Sequence, residues 1–157
     1  MAWSRERYVD HPCHALPVVA QLAFELRGSA PPRYCDRMSP IETAVRTYEA
    51  LWQERDSAAR GRMIEACWAE DGRLVTRSTE IRGRVPLAAA AEAFVARGHT
   101  VRIISAIDAK GTTFRFRAVT LLGDGSTLPP EVFDAGMIDA DGRISLILTF
   151  AGPLADA

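Results

Sequence analysis

One acidic residue, Asp134, stands in a stretch that otherwise reads as an apolar strand, with Gly136 and Ile138 on its own face. The neighbouring strand-like segment offers Phe114, Phe116, Ala118 and Thr120 at a period of two, so the Asp134 carboxyl is expected to meet a largely apolar environment. Burial disfavours the charged form of a carboxyl and raises its pKa. A carboxyl tuned in this way suits a general acid or base, or a neutral donor to a ligand carbonyl. The bland alternative is a structural Asp bonded to backbone groups. His99, at the junction between a helix-like and a strand-like segment, is a second candidate base, unless its ring faces solvent. His11, Cys13 and His14 cluster, and Cys35 could complete a set of four soft ligands. His-x-Cys-His is not a usual zinc spacing, so no metal and no cofactor are expected. There is no glycine-rich phosphate loop, no H-E-x-x-H, no Ser–His–Asp spacing and no Arg flanked by two well-placed carboxylates.

The elements that must position these groups begin after a breaker cluster, Gly28 to Pro32. Residues 1–37 read as an extension, either a flexible arm, a docked short helix or sequence upstream of a start at Met38, and residues 38–157 as the domain. Ser39-Pro40-Ile41-Glu42 is a capping-box pattern with Pro at the first helical position. Ile41, Ala44, Val45, Tyr48, Leu51 and Trp52 then follow at helical spacing. A second helix carries Met63, Ile64, Cys67 and Trp68 on one face and ends before Asp71-Gly72. Arg73 to Thr79 reads as extended, Arg82-Gly83-Arg84 as a turn, and Pro86 to Arg97 as a third helix stopped by Gly98. Four strands are expected at Thr100–Ile107, Thr112–Leu122, Val132–Ile138 and Ile144–Phe150. Asp141-Gly142 is placed as a two-residue hairpin turn.

Helices gathered before a run of antiparallel strands imply an α+β domain, with three helices on the concave face of a curved sheet in the order α-α-β-α-β-β-β-β. In the last strand Ile144, Leu146, Leu148 and Phe150 are expected to point one way and Ile147 the other, leaving both faces apolar. An apolar outer face predicts a homodimer packed through the sheet, unless residues 1–37 cover it.

The composition of the 157 residues, 48% hydrophobic and 25% charged, is that of a globular domain. Nineteen Lys and Arg balance twenty Asp and Glu, and no segment concentrates one sign, which argues against a nucleic-acid footprint. Leu16 to Leu26 is too short and too polar, with Gln21 and Glu25, to span a membrane, and Glu6 and Asp10 spoil a signal peptide. Three cysteines without a C-x-x-C spacing predict a reducing, cytoplasmic setting.

Several short strings resemble the nuclear transport factor 2-like superfamily of cone-shaped α+β domains, which includes ketosteroid isomerase and the SnoaL-like cyclases. They are Thr47-Tyr48-Glu49-Ala50-Leu51-Trp52, Trp68-Ala69-Glu70-Asp71-Gly72, Ile81-Arg82-Gly83-Arg84 and Asp139 to Ile144. The likeness runs from about Met38 to Pro153 and speaks to fold more than to activity. Against ketosteroid isomerase it implies that Tyr48 and Asp134 occupy the positions of the two groups that bind the substrate carbonyl. Thr76 falls where the carboxylate base should stand, and a hydroxyl has no accessible basic form near neutral pH. The resemblance to SnoaL-like cyclases implies a pairing of His99 with Asp134. The pocket it implies is lined by Trp52, Trp68, Thr76, Phe116, Ala118, Thr120 and Ile147, although large aromatics at helical spacing also serve as plain core. The expected function is binding of a hydrophobic carbonyl compound, with cofactor-independent isomerisation, cyclisation or dehydration. The alternative is a noncatalytic ligand-binding or assembly domain whose sheet face does the work.

Overall fold

A computed structural model describes residues 38–152. The extension 1–37 and the His11, Cys13, His14, Cys35 set lie outside the described residues. Two helices open the domain, α1 (Pro40–Leu51) and α2 (Ser57–Cys67). Ser39 caps α1 by accepting a hydrogen bond from the Glu42 amide, and Asp56 caps α2 by accepting one from the Ala59 amide. Strands β1 (Trp68–Val75) and β2 (Glu80–Arg82) form a hairpin, α3 (Arg84–Ala96) follows, and five further strands complete the chain. These are β3 (Thr100–Ile103), β4 (Asp108–Lys110), β5 (Thr113–Leu121), β6 (Thr127–Ile138) and β7 (Ile144–Ala151). They form one seven-stranded sheet in the order β2-β1-β7-β6-β5-β3, with β4 beside β3 on the same edge of β5.

The α+β architecture of three helices on a curved sheet is as the sequence indicates, with corrections in detail. The sheet is mixed, because β1 runs parallel to β7 while the other pairs are antiparallel. Two short strands, β2 and β4, join the expected set, and β3 stops at Ile103. Trp68 starts β1 instead of ending α2: its backbone is extended, and it pairs with Ile144 while its side chain stays in the core. Strand β6 runs through Pro129 and Pro130, expected as loop, at an irregularity between Ala118 and Thr120 of β5 where a residue without an amide hydrogen is tolerated. At the β6–β7 turn only Gly142 has positive φ, 77°, and the Asp139 amide donates to the Arg143 carbonyl, so the loop has three residues rather than two.

A β-bulge decides which residues of β7 face inward. Ile138 pairs with Ile144 and Met137 with Leu146, so Ser145 has no partner across the ladder. An extra residue reverses the alternation. Ile144 therefore joins Ile147 in the core, both fully buried, while Phe150 points outward at 49% exposure. The sequence period, read without the bulge, puts Ile144 on the same face as Leu146, Leu148 and Phe150.

The sheet's edge is protected from the helical side. Glu49 of α1 accepts the Ile103 amide hydrogen at 2.6 Å, and Gln53 donates to the Val101 carbonyl at 2.9 Å. These side chains occupy backbone groups that would otherwise invite another strand. At Gly136 the Phe114 ring lies directly over the backbone, and a Cβ would fall 2.5 Å from its Cζ and against the Leu146 carbonyl oxygen. Gly136→Ala is expected to destabilise the domain by about 1–3 kcal/mol through overpacking. Urea denaturation followed by circular dichroism should show a lower midpoint with an unchanged slope.

Candidate functional site

The interior of the domain is an aromatic cluster with a few polar groups set into it. Tyr48 projects from the buried face of α1 and stacks on Trp68, ring centroids 5.7 Å apart and planes 17° apart. Trp52, one helical turn later, meets Tyr48 edge-on at 5.8 Å and 81°. The inner faces of β5 and β7 supply Phe114, Phe116, Ala118 and Ile147 to the same core. Asp134 is 5% exposed and lies between Phe116 on β5 and Thr149 on β7, its partners across the two ladders. Its Oδ1 is buried without a hydrogen-bond partner, as are the indole nitrogens of Trp52 and Trp68.

Burial pushes the Asp134 carboxyl from 3.8 up to about 6, with the Thr149 side chain pulling the other way. The Tyr48 phenol is raised well above 10.0, first by burial and then by the Asp134 charge, so the two groups lie within electrostatic reach. Cys67, at the end of α2, is pushed up to about 12 by burial and stays a neutral thiol. Its charge would also act on Tyr48, so it borders the same cluster.

Tyr48, Trp52, Trp68, Phe116, Ala118 and Ile147 thus share one core, with Asp134 facing it. Three candidates stand elsewhere. Thr76 caps the β1–β2 turn: its hydroxyl donates to the Thr79 carbonyl and accepts from the Thr79 amide at 3.0 Å. His99 packs edge-on against Phe94 at 5.3 Å, and Phe94 in turn against Trp52, so two rings separate it from Tyr48. Thr120 lies past the β5 irregularity, opposite Val101 and Leu128. Sequence reasoning missed Cys67 and Thr149. The helical spacing did turn Cys67 inward, and the period of two in β7 puts Thr149 on the same face as Ile147.

The opposite face of the sheet is apolar and open. Phe133, Met137 and Phe150 are exposed by 40%, 41% and 49%. A groove of about 500 Å³ runs over Ala135, Met137, Leu146 and Leu148, with Asp108, Lys110 and Arg115 at its rim. Among the described residues, no three His, Cys, Asp or Glu side chains group as metal ligands, and no helix is long and apolar enough to cross a membrane.

No family sequence model matches the chain, and no curated protein matches it. Solved structures do. A candidate isomerase of the SnoaL-like family from Agrobacterium tumefaciens superimposes with a TM-score of 0.66 at 26% identity, covering 74% of this chain and 100% of that one. A protein of unknown function with a cystatin-like fold from Methylobium petroleophilum gives 0.61 at 20% identity, over 74% of this chain and 79% of that one. A candidate ketosteroid isomerase from Kribbella flavida gives 0.58 at 17%, over 75% and 82%. The fold is that of the nuclear transport factor 2-like structures. Within it, this chain is similar to SnoaL-like and ketosteroid isomerase-like structures.

The raised Asp134 value has a consequence for stability. Because the folded state holds this proton more tightly than the unfolded one, the contribution is present below pH 3.8 and lost as pH rises through about 6. The loss amounts to about 3 kcal/mol. Asp134→Asn is therefore expected to gain stability on the wild type between pH 4 and pH 7. Urea unfolding of both proteins across that range measures the difference, and parallel curves would contradict it.

Proposed function

We propose that the domain binds a hydrophobic, carbonyl-containing small molecule against Tyr48 and Asp134 and uses Asp134 as a cofactor-independent acid and base. The observation that carries this reading is the group of unpartnered polar atoms in an aromatic interior, since buried polar groups are nearly always paired. Tyr48, a neutral phenol, donates to the ligand carbonyl oxygen. Asp134, ionised above about pH 6, removes a proton from the carbon beside the carbonyl; the C–H electron pair moves into a new C=C bond, and Tyr48 stabilises the charge gathering on oxygen. Return of the proton to a different carbon completes an isomerisation. Thr76, committed to its turn, takes no part. The similarity to a SnoaL-like candidate isomerase supports the same reading.

We place the protein in the cytoplasm as a homodimer joined through the outer sheet face, a reading supported by the free thiol of Cys67 and by exposed Phe133, Met137 and Phe150. The second functional reading, a noncatalytic assembly domain, rests on that same apolar face.

Incubation with a panel of enolisable aromatic and terpenoid ketones in D₂O tests the first reading. One or more should raise the melting temperature and exchange α-hydrogens faster as pH climbs through about 6, with exchange lost in Asp134→Asn and binding weakened about tenfold in Tyr48→Phe. No stabilisation and no exchange across the panel would leave the assembly reading. Light scattering should find a dimer that Met137→Arg converts to monomer.

A further inference from the structure

The outer face of the sheet is built from rows of side chains that cross the strands. One row runs Lys110, Thr113, Met137 and Leu146, each paired with the next across a ladder. Beside it run Asp108, Arg115, Ala135 and Leu148, paired in the same way. Alternation along β6 puts Ala135 on the same side as Phe133 and Met137, and its single methyl between those two larger side chains leaves a depression. There the groove of about 500 Å³ opens, a volume in the range of about 300–1,000 Å³ that small-molecule sites occupy. From β4 to β7 it crosses three strand spacings, a length of about 14 Å.

Charge gathers at one end of this trough. Arg115 holds Asp108 with Nε and Nη2 each 2.7 Å from the same carboxylate oxygen, so those two charges offset one another. Lys110, the only lysine in the chain, makes no ion pair among the described residues. The β4 end therefore carries one uncompensated cation, and the β7 end is aliphatic, with Leu146 and Leu148. A second copy of the chain brings the same depression and the same cation, so self-association by itself neither fills the one nor neutralises the other.

We propose that the groove binds a long-chain monocarboxylate, with its carboxylate beside the Lys110 ammonium and its chain laid across β5 and β6 to the leucines of β7. One anionic head answers the one unpaired cation, and a straight apolar tail answers the trough, whose floor is set by Ala135. The attraction at the head is that of an exposed ion pair, so it sets the preference between heads while the tail supplies most of the affinity. The site is on the opposite face of the sheet from Tyr48 and Asp134 and stands apart from the reading of the interior.

The test is calorimetric titration of the full chain with dodecanoate and with dodecyltrimethylammonium, which share a tail and carry opposite heads, at pH 7.5, low salt and below the concentration at which either forms micelles. Dodecanoate should bind one to a chain and about fivefold more tightly than the ammonium. Lys110→Glu, which turns the end charge negative, should reverse that order. Ala135→Leu, which fills the floor, should weaken both by more than tenfold. Saturating dodecanoate should also slow acetylation of Lys110, read by peptide mass spectrometry, where the ammonium does not. The comparison of heads on the unaltered protein stands even if a variant fails to fold. No binding, equal affinities for the two heads, uptake that does not saturate, or an unchanged order in Lys110→Glu would each overturn the proposal. Dodecanoate binding lost in Tyr48→Phe and kept in Ala135→Leu would put the chain in the interior and overturn it as well.

Discussion

Tyr48 lies flat on Trp68, and through that contact the first helix is seated on the first strand at the centre of the core. Each such ring removes roughly 150–250 Å² from water, so a buried pair contributes several kcal/mol before entropy is counted. The position of everything else follows from it. With Tyr48 held there, Trp52 closes over its edge and Phe94 packs on Trp52, which ties α3 to α1. Glu49, the next residue along, reaches the backbone of β3 and fixes the helix against the far edge of the sheet. The surroundings of Asp134 are a by-product of this packing, since closing the aromatic cluster is what takes the carboxyl out of water.

That environment makes chemistry and stability oppose each other at one residue. An acid raised to about 6 costs the folded state free energy whenever it is ionised, and an apolar residue of the same volume would remove the cost. The same displacement brings its proton exchange into the range where a general acid and base works best. The Asp134 oxygen left without a partner in this core points the same way, because a purely structural interior would gain by replacing or pairing it. The superfamily's fold hosts many activities, so the argument for function stands on these groups rather than on topology.

The two faces of the sheet are separated by irregularities rather than by simple alternation. The unpaired Ser145 sends Ile144 and Ile147 inward and leaves Leu146 and Leu148 on the outer groove. The break between Ala118 and Thr120 lets β6 carry two prolines without breaking the strand. Both a sequestered interior and an apolar exterior therefore come from one short strand pair, and the charged pairs Arg115–Asp108 and Arg117–Glu131 border the exterior.

Much of this was legible in the residues alone. Helical spacing placed Tyr48 and Trp52 on one buried face, and a period of two brought Phe114 and Phe116 opposite Gly136 and Asp134, because regular elements repeat with fixed geometry. The apolar setting of Asp134 followed from those periods. What periodicity could not carry were the places where it breaks: the bulge that turns Ile144 inward, the parallel pairing of β1 with β7, and the switch from helix to strand at Trp68. These depend on contacts between residues distant in the chain. For the same reason only the folded chain decided that the Thr76 hydroxyl belongs to a turn, that His99 rests on Phe94, and that the Trp52 N–H and an Asp134 oxygen are left without partners. Residue type states what a side chain can offer, and packing in three dimensions determines whether anything is there to accept it.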